Sequence, residues 1–183
     1  MKSLSLSTPH VIVMMGIPGS GKTRFALQFS KTFSAPFIND QPLRLISSDP
    51  SQGEAMALDI LAEVMKTKHT ILFEGATGRK TVRTELSRLA KLNGYKVLFV
   101  WVQTAVDTAR QRTVKYLTRE EYDQQLKDFL PPDEGENYIV ISGHHTHTTQ
   151  ARTILTRLTE SHSTTDKERA PISGVRSTVR SSR

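Results

Sequence analysis

An α/β fold, with a parallel sheet covered by helices on both faces, is predicted by three features of the sequence. Five short apolar runs recur along the chain, segments with helical spacing of apolar residues separate them, and a glycine-rich hinge joins the first run to the first of those segments. Strands that alternate with helices pair in parallel, because each helix carries the chain back across the sheet.

The elements follow in order. Residues 1–9, with Ser3, Ser5, Ser7, Thr8 and Pro9, read as a short disordered lead-in. His10-Val11-Ile12-Val13-Met14-Met15 is a buried strand, with Met14 and Met15 as core residues. After the hinge, Phe25, Ala26, Phe29 and Phe33 mark a helix to about Phe33. Ala35 to Asn39 is a brief second strand ending at Asp40, and Leu43-Arg44-Leu45-Ile46 either extends it or begins a separate turn. Ser48 or Asp49 caps the next helix, with Pro50 in its first turn and an expected stripe of Met56, Ile60 and Val64, flanked by Leu61 and Met65.

Thr70 to Gly75 is a third strand, an apolar run closed by the carboxylate of Glu74. A helix from about Arg79 to Leu92 carries Val82, Leu86, Leu89 and Ala90 inward and stops at Asn93-Gly94. Val97 to Val102 is the fourth strand, followed by short helices from Thr104 to about Arg112 and from Thr118 to about Phe129. Tyr138 to Ser142 is the fifth strand, and a final helix from near Thr146 to Leu158 turns Ala151, Ile154, Leu155 and Leu158 inward. The organisation is thus a lead-in, one domain over 10–160 with a short lid over about 112–137, and a disordered basic tail over 161–183. Ligands of such sheets sit at the carboxyl ends of the strands, so Asp40, Glu74, Gln103 and Ser142 are expected along one edge with the hinge.

The 183 residues suit one such domain, and the absence of cysteine excludes disulfides and thiolate metal sites. Lys2 and the apolar run after it resemble a secretory leader, but the run is short and leads straight into the hinge, so a strand is expected instead. No segment approaches the ~20 apolar residues of a membrane span. A cytoplasmic location is expected. The net charge of +7 favours anionic partners, although part of it lies in the tail, at Lys167, Arg169, Arg176, Arg180 and Arg183.

The hinge Gly16-Ile17-Pro18-Gly19-Ser20-Gly21-Lys22-Thr23 matches G-x-x-x-x-G-K-[ST], the phosphate-binding P-loop, and lies where that motif must, between a strand and a helix. Its glycines let successive N–H groups point at one phosphate, and the helix behind adds its positive end. Lys22 reaches the β- and γ-phosphates, and the Thr23 hydroxyl is a Mg²⁺ ligand. The residues expected to cradle the nucleotide are therefore Gly16, Pro18, Gly19, Ser20, Gly21, Lys22 and Thr23, with ATP and Mg²⁺ as cofactors. No Asn-Lys-x-Asp guanine-reading motif occurs, which disfavours a GTPase switch.

Beyond the P-loop, Ile38-Asn39-Asp40 before Leu43-Arg44, Leu72 through Thr77, Arg83 through Tyr95, and Ala109 through Arg112 together make residues 10–160 resemble the small P-loop kinases of the polynucleotide-kinase-like group, often labelled ATP-binding proteins with an AAA-type P-loop. The resemblance implies a P-loop NTPase three-layer sandwich with strand order 2-3-1-4-5. It also implies transfer of the γ-phosphoryl group of Mg·ATP to a hydroxyl. The group's base, an aspartate after the second strand, falls on Asp40, with Asp49 as a rival that also suits a helix cap. Its arginine for substrate phosphate falls on Arg44. The group usually places that arginine three residues after the aspartate; here it comes four after, with Pro42 inserted.

Glu74 matches the carboxylate that holds Mg²⁺ through water, where many relatives have aspartate. Arg110 and Arg112 match the lid arginines that neutralise the transferring phosphoryl group, with Lys115 and Arg119 as alternatives. The acidic stretch Asp133, Glu134 and Glu136 would repel a nucleic-acid strand. His144, His145 and His147 make a weak zinc site and are expected in a loop against the adenine base. The acceptor is left open between a nucleic-acid end, a nucleoside and a nucleotide sugar, the last as in toxin-like kinases. A slow ATPase acting as a nucleotide-dependent binding protein is the alternative from another class, and the oligomeric state is left open.

Overall fold

The computed structural model describes Leu4 and residues 6–167. Five parallel strands form the sheet: β1 (His10–Met15), β2 (Phe37–Asn39), β3 (Ile71–Glu74), β4 (Lys96–Gln103) and β5 (Tyr138–Ser142), in the order β2-β3-β1-β4-β5. This is the expected 2-3-1-4-5 arrangement. β1 lies at the centre, with Met14 opposite Glu74 of β3 and Val100 of β4.

Alternation along β1 sorts the core into two layers. Ile12 and Met14, with Leu72, Leu98 and Val100, pack under α1 (Lys22–Phe33) and α7 (His147–Lys167) through Phe25, Phe29, Ile154 and Leu158. Val11, Val13 and Met15, with Ile71, Phe73 and Phe99, pack under α3 (Pro50–Met65) and α4 (Lys80–Leu92) through Leu61, Met65, Leu86 and Ala90. Met14 and Met15 are thus core residues on opposite faces. Burying a side chain of this size contributes about 1.5–3 kcal/mol.

Four details differ from the sequence expectations. Leu43 to Ile46 neither extends β2 nor forms a bare turn; it lies in α2 (Gln41–Ile46), started by Pro42 in its first turn. The inward stripe of α3 is Gly53, Ala57, Leu61 and Met65, whereas Met56 and Ile60 are exposed. α2 rests so close on α3 that a Cβ on Gly53 would stand 2.5 Å from the Arg44 Cα, so small residues must face it. Leu4 and Leu6, in the stretch expected to be disordered, pack against the α1 side of the core. Finally, α7 runs on to Lys167 rather than stopping at Leu158, and residues 168–183 of the expected tail lie outside the described residues.

Between β4 and β5 lie α5 (Val106–Thr113) and α6 (Arg119–Asp128), the second of them inside the stretch expected to form a lid. Thr118 and Glu121 form a reciprocal capping box that starts α6. Buried Tyr122 packs with Ile17 and Ala109 and donates its hydroxyl to the Val106 carbonyl at 3.2 Å. Among the described residues, no helix is long and apolar enough to cross a membrane.

Candidate active site

The P-loop leaves β1 and turns sharply into α1. Gly16, Gly19 and Gly21 all have positive φ, at 141°, 76° and 103°. At Gly16 an added Cβ would stand 2.6 Å from the Val102 carbonyl oxygen, and at Gly19 it would overlap the Ala109 carbonyl. Backbone conformation and space both require glycine there. Gly21 is the N-cap of α1 and offers no side-chain hydrogen bond, which leaves the amides of the first turn facing outward.

Lys22 donates its ammonium to the carbonyls of Gly16 and Ile17, at 2.9 and 3.0 Å. Burial lowers its pKa below the ordinary lysine value, opposed by the nearby Glu74 carboxylate. Thr23 donates its hydroxyl to Glu74 Oε1 at 2.9 Å. The other Glu74 oxygen, Oε2, is buried without a hydrogen-bond partner, and burial raises the pKa of this carboxyl, with Lys22 and the Thr23 hydroxyl pulling the other way. A threonine hydroxyl beside a carboxylate with an unused buried oxygen is a hard-oxygen donor pair, the chemistry that suits Mg²⁺.

Asp40 stands at the next strand end and donates its amide to the Glu74 carbonyl at 3.0 Å. It is 4 % exposed and its Oδ2 accepts no hydrogen bond. Burial raises its pKa, which Arg44, 3.9 Å away, partly counters. Asp49 is occupied otherwise: its carboxylate accepts from the Ser51 amide at 2.9 Å and caps α3.

The remaining predicted residues divide between two places. Arg112 reaches the P-loop, donating to the Gly19 carbonyl at 3.2 Å. Arg110 does not; it pairs with Asp123 of α6 at 2.7 Å and lies 5.2 Å over the Tyr122 ring, tying α5 to α6. Arg119 also stands near Asp123, at 3.9 Å.

The histidine loop after β5 borders the P-loop. Thr104 donates to the Ser20 carbonyl at 3.1 Å, and the Gly143 amide donates to the Gln103 carbonyl at 2.7 Å, which fixes the loop's root. A cleft of about 780 Å³ runs between Gly19–Phe25 on one side and Gly143–His147 on the other, with Arg112, Tyr116, Gln28 and Gln150 completing it. His147 packs on Phe25, 5.2 Å between ring centres, and burial lowers its pKa. No cluster of three or more His, Asp or Glu with metal-holding geometry occurs among the described residues.

A second, smaller cleft of about 250 Å³ opens beside Asp40, between α3 and α4. Sequence reasoning missed it, and it missed the role of Arg83. That side chain is 1 % exposed and donates to both oxygens of Glu136, at 2.7 and 2.9 Å. It also donates to the carbonyls of Thr77 and Leu130, at 3.1 and 3.0 Å. It therefore pins the chain's return from the lid onto the start of α4. Its position was a signal: Arg83, Leu86 and Ala90 share the i, i+3, i+7 stripe that faces the core. Asp133 and Glu136, expected to repel nucleic acid, are paired with Lys80 and Arg83 instead.

Solved structures, kinases among them, share this fold. The gluconokinase from Sinorhizobium meliloti superimposes with a TM-score of 0.66 over 89% of this chain and 99% of its own, at 15% identity. Chaetomium thermophilum Kti12 in complex with ADP-AlF3 gives 0.67, over 82% and 97%, at 18% identity. The Mycobacterium tuberculosis APS kinase in complex with AMPPNP and APS gives 0.63, over 83% and 98%, at 16% identity. The chain has the fold of the small P-loop kinases. No protein-family model and no curated protein matches the sequence.

Proposed function

We propose that the protein is an ATP-dependent kinase that transfers the γ-phosphoryl group of Mg·ATP to a hydroxyl acceptor. The observation that carries this reading is the row Lys22, Thr23–Glu74 and Asp40 along one sheet edge, with two buried carboxylate oxygens that no protein donor satisfies. Buried oxygens of this kind are costly unless something else uses them. A metal ion suits Glu74, and a substrate hydroxyl suits Asp40.

In this reading the large cleft takes the nucleotide. The P-loop amides and the α1 N-terminus hold its phosphates, and the Phe25–His147 wall with the histidine loop meets the adenine. Thr23 and Glu74 would hold Mg²⁺, which neutralises phosphate charge when bound. Lys22 exchanges its loop carbonyls for phosphate oxygens, and Arg112 lies at the rim to meet the charge that develops on the transferring group. Arg110 has the same role only after it leaves Asp123.

Asp40 accepts the acceptor's proton as the hydroxyl oxygen bonds to the γ-phosphorus. The bond from phosphorus to the β,γ-bridging oxygen breaks, and ADP leaves with that electron pair. Burial raises the pKa of Asp40 and so makes it a stronger base than an exposed carboxylate, while Arg44 pulls the other way. The testing experiment is ADP release from Mg·ATP, alone and with 5′-hydroxyl oligonucleotides, nucleosides, sugars and nucleotide sugars. Stimulation by one class is the expected result. ATP binding with slow ADP release that no acceptor changes would replace the kinase by an ATPase acting as a binding protein.

A further inference from the structure

The cleft beside Asp40 has an apolar floor of Leu58, Phe73, Ala76 and Val82, and its polar lining is Asp40, Glu54, Thr81 and Glu85. Among the described residues, no lysine or arginine lines it. The neighbouring arginines are engaged with these same carboxylates from outside: Arg79 with Glu54, Arg88 with Glu85 at 2.8 Å, and Arg44 with Asp40 at 3.9 Å. Within that wall, Asp40 is the nearly fully buried side chain whose Oδ2 has no hydrogen-bond donor.

We infer that this cleft takes a small hydroxyl compound that carries no phosphate, of the polyol or amino-polyol class, and that Glu54 and Glu85 set that preference. The inference rests on the phosphoryl transfer proposed above and names its acceptor. Carboxylates accept hydrogen bonds from hydroxyl and ammonium groups but repel a phosphate, whose recognition calls for arginine, lysine or amide donors. The apolar floor suits the C–H face of a ring or carbon chain, and about 250 Å³ holds a small molecule rather than a polymer strand. The displaced spacing of Arg44 agrees with this. Four residues after Asp40, in the last turn of α2, its guanidinium lies 3.9 Å from the Asp40 carboxylate.

The experiment measures ADP release at saturating Mg·ATP with matched pairs: a polyol, a hexosamine and a nucleoside, each beside its own phosphate ester. The expected result is stimulation at least about tenfold greater by a phosphate-free member than by its ester, the scale on which like-charge contacts discriminate. Glu85→Lys, at a side chain 52 % exposed, should narrow that gap while its melting temperature stays at the wild-type value. Equal or greater stimulation by the esters would overturn the inference and leave the kinase reading standing. Stimulation by no member of any pair would overturn the inference, and stimulation by 5′-hydroxyl oligonucleotides or nucleotide sugars in the same assay would then keep the kinase reading, whose failure requires silence from those as well. An unchanged gap in Glu85→Lys would remove Glu85 from the preference.

Discussion

The two clefts along the carboxyl edge of the sheet are built from different materials. The larger one is built around one contiguous backbone turn, with Gly19 and Gly21 at positive φ and the first turn of α1, faced by the loop after β5. The smaller one presents side chains from separate elements, with Asp40 after β2, Glu54 and Leu58 from α3, and Thr81, Val82 and Glu85 from α4. Backbone amides recognise phosphate whatever it is attached to, whereas a side-chain pocket changes its ligand with each substitution. On the proposed reading the donor side is therefore general, and the acceptor side is where this chain is particular.

The largest test of that division is Lys22→Ala. The side chain bonds only P-loop carbonyls at the mouth of the turn, so its loss leaves both core layers untouched. Phosphoryl transfer should fall by about 10³-fold or more, at the upper end of what removing one charge-stabilising donor costs. Titration with a fluorescent ATP analogue should show weakened binding at an unchanged melting temperature. Full activity in this variant would remove the P-loop from the chemistry.

Arg83→Met should sharpen the comparison from the other side. The guanidinium makes the buried pair with Glu136 and gathers carbonyls of the β3–α4 loop and of the chain returning from the lid. Breaking a buried pair by removing one partner costs about 3–5 kcal/mol, and for a domain of this size that is roughly 10 °C in melting temperature. Where the variant is folded, acceptor stimulation should be lost before ATP affinity, because α4 lines only the smaller cleft. Loss of ATP affinity first would show that the two clefts are coupled through the lid.

This division also explains what the sequence made legible. The proposed donor side is written in contiguous residues, so Gly16 to Thr23 gave away strand, turn and helix together. The strand order came with the resemblance that those residues help to carry, and Glu74 stood out as the carboxylate that closes an apolar run. The acceptor side is assembled from residues 40–85, on four elements whose mutual packing no local pattern encodes. Met56 and Ile60 had the right periodicity and the wrong phase, because Gly53 and Ala57 are the residues that admit α2. Arg110 and Arg112 are two apart on one helix, and only the fold reveals that they point to different partners.

The subtlest break concerns Asp40, where function and stability should pull in opposite directions. Asp40→Asn removes the base, so acceptor-dependent transfer should drop by at least ~10²-fold with ATP affinity kept. Stability should move the other way. Burial raises the folded pKa of Asp40 above its unfolded value. The protonated carboxyl is thus favoured in the fold below the unfolded pKa, and that contribution is lost as pH rises through the folded pKa. Where that carboxyl is ionised, the wild-type chain keeps a buried charge whose Oδ2 has no hydrogen-bond donor among the described residues. Asparagine lifts the charge, so its melting temperature at pH 7 should exceed the wild-type value by a few degrees, for a burial cost on the order of 1–3 kcal/mol. The gain should shrink on acidification, as the wild-type carboxyl takes up its proton. No gain at pH 7 would mean that Arg44, 3.9 Å away, already offsets the burial. Whether Asp40 takes the acceptor's proton would then be read from the transfer rate alone, and a loss well under ~10²-fold would send that proton elsewhere.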